Sequence, residues 1–190
     1  ALCVSALAIR MNEGKSIVQE FMAGFNIGPD AVFCIVEFLH VLPEEAADEQ
    51  LDYDEKERTQ FVADIGALSL NVLQYLTQVM QATGTHADLK RRVFFSFSSW
   101  VNLSYLDPLV LAQCPITTMA CDAFPIDEFQ ESASEAIVAV ISAGTSLEAQ
   151  LPILSLVVPR ILGFQALLQK ATQEEDEVMS DLLISVFLFC

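Results

Sequence analysis

Any chemistry in this chain would have to come from two histidines, five cysteines and one dense run of carboxylates. His40 and His86 each lack a cysteine or a second histidine at ligand spacing, so neither marks a zinc-type site. His40 reads instead as a partly buried residue at a helix end. Cys3, Cys34, Cys114, Cys121 and Cys190 are odd in number, scattered and set among apolar residues. That pattern fits buried reduced thiols of the cytosol or nucleus better than a disulfide framework. Cys114 and Cys121, separated by Pro115, read as two core thiols. Asp52, Asp54, Glu55 and Glu57 could pair for acid–base work, but a flexible loop cannot preorganise them. Gly24-Phe-Asn-Ile-Gly28 lacks the third glycine and the preceding strand of a dinucleotide site, and no nucleophile elbow or phosphate loop occurs. The residues predict no enzyme, no cofactor and no metal.

Composition narrows the classes further. A length of 190 residues makes one domain the default. Hydrophobic content is 53% and mean hydropathy +0.45. The longest apolar candidate, residues 182–190, is half of the roughly 18 residues that span a bilayer. Membrane insertion is therefore not expected, and the apolar excess must be buried by protein. Net charge is −17, from 26 acids against 9 bases. Phosphate binding needs a basic footprint, so direct nucleic-acid binding is disfavoured. Basic protein partners, steered by a long-range field, are favoured, with plain solubility as the alternative reading. The chain begins without Met in an apolar run (Leu2, Val4, Leu7) and ends in another (Phe187, Leu188, Phe189). Both ends read as cut mid-helix, which predicts a segment of a longer protein; no signal peptide is visible.

The element that organises these residues is 90–106, K-R-R-V-F-F-S-F-S-S-W-V-N-L-S-Y-L. Val93, Phe97, Trp100 and Leu103 form one helical stripe, and Phe94, Val101 and Tyr105 a second beside it. A helix apolar on two sides is packed on two sides. Trp100 reads as core; a stacking platform for a base or sugar has no support nearby. Before this element the periodicity predicts helices over 1–11, 16–25, 31–42 (ended by Pro43) and 58–83. Residues 43–57, P-E-E-A-A-D-E-Q-L-D-Y-D-E-K-E, read as a solvated acidic loop. After it, Asp107-Pro108 opens a short turn of helix, followed by 116–124. Asp127 with Gln130 predicts a capping box for 128–142. Ser146 caps 147–171, kinked near Pro159, and 178–190 is the last helix. No strand alternation or hairpin signal occurs.

Helix starts near Ala31, Asp88, Glu128 and Asp176 recur at intervals close to a HEAT-type helical pair, once the acidic stretch is set aside. A short helix followed by a long one recurs with them. Such pairs bury their apolar faces only by stacking. The fold class expected is all-α: a HEAT-repeat α-α superhelix of about four pairs, one solenoid segment over residues 1–190. A globular helical bundle is the alternative.

Four stretches carry a family resemblance: L-H-V-L-P-E-E (39–45), V-F-F-S-F-S-S-W-V-N-L (93–103), S-A-S-E-A-I-V-A-V-I-S (132–142) and L-V-V-P-R-I-L-G-F-Q-A-L-L (156–168). In this order and spacing they resemble the importin-beta karyopherins, in the branch of transportin-SR and importin-thirteen, and the last two lean towards importin-thirteen. The resemblance covers nearly the whole chain and departs most over 43–57. It implies an N-terminal part of a HEAT superhelix that binds cargo and the GTP form of Ran, meets nucleoporins, and shuttles between cytoplasm and nucleus. Cargo identity and direction of transport do not follow from it. A HEAT or armadillo scaffold unrelated to transport, and a small helical enzyme or lipid carrier, are the other classes.

In a helical-pair solenoid the second helix of each pair lines the concave side. Those helices are here 16–25, 58–83, 116–124 and 147–171. Their polar positions include Glu20, Asp64, Gln74, Gln78, Asp122, Gln165 and Gln169. Three are acidic and none is basic, so this wall is expected to attract a basic partner.

Overall fold

The computed structural model describes residues 1–11, 13–23, 29–48, 54–82, 86–103, 106–144, 146–164 and 184. Every regular element among them is helical and none is a strand, as the periodicity predicts. The chain divides into two units, Ala1–Tyr105 and Leu106–Cys190.

The first unit holds α1 (Leu2–Met11), α2 (Gly14–Ala23), α3 (Pro29–Ala47), α4 (Glu55–Gly66), α5 (Ser69–Ala82) and α6 (Ala87–Leu103). α3 stands between α1 and α6, α2 lies against α4, and α5 packs on α6. Phe38, Leu39, Leu42, Phe61, Ile65, Leu76, Phe94, Phe97 and Trp100 are all fully buried. Each such side chain contributes about 1.5–3 kcal/mol by leaving water. The expected inner position of the Trp100 helix is borne out, with Trp100 0% exposed.

Two boundaries differ from expectation for physical reasons. Pro43 does not end the third helix: α3 continues to Ala47 with the proline inside it. Proline has no N–H to give the carbonyl four residues back, which is that of Leu39. The Trp100 indole supplies the missing donor, Nε1 to the Leu39 carbonyl at 2.6 Å. The acidic stretch 43–57 is therefore helical at both ends. Residues 49–53 lie outside the described set, and Asp54 caps α4 by accepting from the Lys56 and Glu57 amides at 2.9 and 3.3 Å.

The predicted long helix over 58–83 is two helices, broken at Ala67-Leu68. Leu68 bonds back to the Ile65 carbonyl, three residues away, and its side chain is buried. Gly66 weakens the helix at this point. Both halves touch α3 and α6, but α2 packs against α4, while α5 makes the larger contact with α6. The α2–α4 approach is close: a Cβ at Gly14 would lie 2.4 Å from Phe61 Cζ. α2 starts at Gly14 rather than Ser16.

The second unit holds α7 (Pro108–Gln113), α8 (Pro115–Ala123), a 3-10 turn (Asp127–Phe129), α9 (Gln130–Ser142) and α10 (Leu147–Leu162). The predicted caps at Asp107 and Ser146 are present, accepting from the Leu109 amide at 2.8 Å and the Ala149 amide at 3.3 Å. The predicted capping box is not. Asp127 opens the 3-10 turn, and Gln130 Nε2 donates to its carboxylate at 3.4 Å instead of reaching the backbone. α10 packs against α7, α8 and α9, and runs through both Pro152 and Pro159. Residues 165–171 of the predicted long helix lie outside the described set, as does the predicted helix 178–190 apart from Ile184, which is helical.

Candidate functional site

The α3–α6 seam gathers the densest polar chemistry among the described residues. His40 Nδ1 lies 3.1 Å from Ser99 Oγ and 3.6 Å from Glu44 Oε1. The Ser99 hydroxyl is within donating distance of Glu44 Oε1 at 3.2 Å and of the Phe95 carbonyl at 3.0 Å. Serine, histidine and glutamate are the residue types of an acyl-transfer triad, but the geometry is wrong. A triad places the hydroxyl on one ring nitrogen and the carboxylate on the other, so that the acid orients the base. Here both sit on Nδ1, and the hydroxyl has other acceptors. The cluster acts as a latch between helices. Arg92 Nε adds an ion pair to Glu37 Oε2 at 2.9 Å across the same seam, and Arg91 pairs with Asp88 within its own turn. Among the described residues no group of three or more His, Cys, Asp or Glu could hold a metal ion. No described helix is long and apolar enough to cross a membrane.

The sequence-predicted contact residues sit on helix faces. In the first unit Glu20 is exposed on α2, which packs beside the α4 that carries Asp64. Asp64 is half-buried and accepts from Gln60 Nε2 at 2.9 Å. Gln74 and Gln78 are exposed on α5. Asn71 and Gln81 are exposed on that helix too, and the sequence reading passed over them. Their signal is the spacing 71-74-78-81, four carboxamides at helical intervals. Behind this face lies Tyr75, whose hydroxyl is pushed by burial up to about 12. In the second unit Asp122 is exposed on α8, with Arg160 Nε of α10 facing its carboxylate at 3.9 Å. Arg160 lies on a helix assigned to the acidic wall, so Asp122 is less available to a basic partner than Asp64. Gln165 and Gln169 lie outside the described residues.

Residues 1–137 match the family described as Exportin 1-like protein. Transportin MOS14 of Arabidopsis thaliana is 26% identical over 188 residues, 94% of this chain and 19% of that protein. Importin-13 of Homo sapiens is 32% identical over 152 residues, 78% of this chain and 15% of that protein. An uncharacterized protein of Schizosaccharomyces pombe is 25% identical over 183 residues, 93% of this chain and 19% of that protein. The chain thus spans less than a fifth of the length of these relatives. The karyopherin resemblance read from the four sequence stretches is borne out by these matches.

Proposed function

The chain belongs to the Exportin 1-like protein family, and from that premise we infer that it is a HEAT-repeat segment of a nuclear transport receptor. The observation that carries this reading is the family match over residues 1–137. The segment contributes binding surface to a receptor that takes up basic cargo and Ran in its GTP form, meets nucleoporins, and moves between cytoplasm and nucleus. No cofactor and no enzymatic step belong to this reading. In the first unit the residues proposed for contact are Glu20, Asp64, Gln74 and Gln78, on α2, α4 and α5; in the second unit the proposed residue is Asp122 on α8. Gln165 and Gln169 are proposed with them from the sequence alone.

Two measurements test the reading. The full-length protein should capture Ran loaded with a GTP analogue and not Ran loaded with GDP. Capture that ignores the nucleotide, or none, would favour a helical scaffold unrelated to transport. Association with a basic cargo should slow as salt rises, because surface fields are screened over about 10 Å at 0.1 M. It should slow further in Asp64→Asn with Asp122→Asn. Most of that loss should come from Asp64, since Arg160 already faces Asp122. An unchanged rate and salt dependence would show that these acids only solvate the surface.

A further inference from the structure

The latch at the α3–α6 seam has fewer protons than contacts. His40 Nδ1 lies 3.1 Å from Ser99 Oγ and 3.6 Å from Glu44 Oε1. Ser99 Oγ lies in turn 3.2 Å from that carboxylate oxygen and 3.0 Å from the Phe95 carbonyl. A carboxylate and a carbonyl only accept, and a serine has one proton to give. If Nδ1 were bare, the Ser99 proton would have three acceptors around it. Two of the three contacts would then set lone pair against lone pair. A proton on Nδ1 reduces those two to one: the ring donates to Ser99 Oγ, and Ser99 donates onward to Phe95 or Glu44. The other ring nitrogen, Nε2, has no hydrogen-bond partner among the described residues.

We propose that neutral His40 carries its proton on Nδ1, and that a second proton taken up at Nε2 tightens the α3–α6 seam, so that the cluster is a proton-operated latch. The place of the first proton fixes the sign of the response. A ring that accepted at Nδ1 would have to give up its Ser99 bond on protonation. A ring already protonated there keeps every contact and gains a charge beside the Glu44 carboxylate. Its hydrogen bond to Ser99 then becomes charge-assisted. The unfolded chain does not hold these three groups together. The added stability is therefore present on the acid side of the imidazole range, about pH 6.5, and is lost as pH rises through it. The His40 side chain is 15% exposed, so solvent protons reach the ring, and Glu44 at 55% keeps the attraction modest.

The surroundings add no competing charge. α6 presents Ser99 and the Phe95 ring, whose centroid is 5.8 Å from that of His40. Glu37, one turn earlier on α3, is engaged by Arg92 of α6 at 2.9 Å. From α1, α2, α4 and α5, which also pack on α3, no charged side chain bonds to His40 among the described residues.

Only two histidines occur in the chain, and His86, exposed just before α6, serves as the reference. NMR of the ring nitrogens at about pH 8, above the imidazole range, should show His40 protonated at Nδ1 and bare at Nε2. His86 should show the Nε2–H form that free histidine prefers. Glu44→Gln removes the charge and keeps the side chain's shape at a half-exposed site; an unchanged circular dichroism spectrum checks the fold. Its melting temperature should fall further below that of the unaltered chain at about pH 5.5 than at about pH 8, by about 1–2 °C. Taking the difference at each pH cancels the titration of the other acids. In a His40→Gln background the same change should show no such pH dependence. A bare Nδ1 in the neutral ring would overturn the proton assignment and the latch with it, without need of any variant. A gap that stays constant or narrows in acid, or one that persists without His40, would overturn the latch.

Discussion

α3 and α10 both contain an internal proline, and the two helices handle it differently. Pro43 sits in a dry seam, where the carbonyl it cannot serve belongs to the fully buried Leu39. An unpaired buried carbonyl costs about 1–3 kcal/mol, and Trp100 removes that cost with its indole N–H. Pro159 lies on an exposed face, and the residue four positions back, Ser155, is exposed as well. Water can serve that carbonyl, and no comparable side-chain donor stands there among the described residues. A proline inside a helix is therefore not in itself a stop. What matters is which donor can reach the freed carbonyl, and a buried site must find one in another helix.

Trp100→Ala attacks the buried case most directly. It should destabilise the fold by about 3–5 kcal/mol, the range for large-to-small core changes at aromatic sites. The losses are packing volume and the donor to Leu39. Equilibrium denaturation would measure it, and a cost under about 1 kcal/mol would mean that the indole is not the keystone of the α3–α6 seam.

Trp100→Phe sharpens the comparison by keeping most of the ring while deleting the N–H. It should cost about 1–3 kcal/mol, the penalty for leaving the Leu39 carbonyl unpaired. The cost should shrink by about 1 kcal/mol in a Pro43→Ala background, where the new N–H at position 43 can serve that carbonyl. A double-mutant cycle with no coupling would break the link between proline and indole.

Pro159→Ala is the exposed counterpart and the smallest effect. It should be neutral or stabilise by up to about 1 kcal/mol, since it restores a helical N–H where no side chain is waiting to be displaced. A loss of stability on thermal denaturation would show that the ring of Pro159 packs in a way that its exposure does not reveal.

Much of the fold was legible because helical periodicity is a local property. The stripe of Val93, Phe97 and Trp100, the caps at Asp107 and Ser146, and the absence of strand alternation need only neighbouring residues to be read. The candidate surface was legible in part. Asp64, Gln74 and Gln78 follow from polarity at helical spacing. The Arg160 opposite Asp122 does not, because a charge on one helix says nothing of its distance from a charge on another.

The sequence by itself determined the helical class, the two-sided burial of residues 90–106, the acidic charge and the family to which the stretches 39–45 and 93–103 point. Only the tertiary structure decided that these two stretches meet. Leu39, His40 and Glu44 meet Ser99 and Trp100, some sixty positions away, through hydrogen bonds of 2.6 to 3.2 Å. It likewise decided that α3 outlasts its proline and that residues 58–83 break into α4 and α5. The physical reason is the same in each case. Propensity and periodicity weigh a residue against its own helix, whereas the donor that rescues a freed carbonyl, and the neighbour that re-aims a helix, come from elsewhere in the chain.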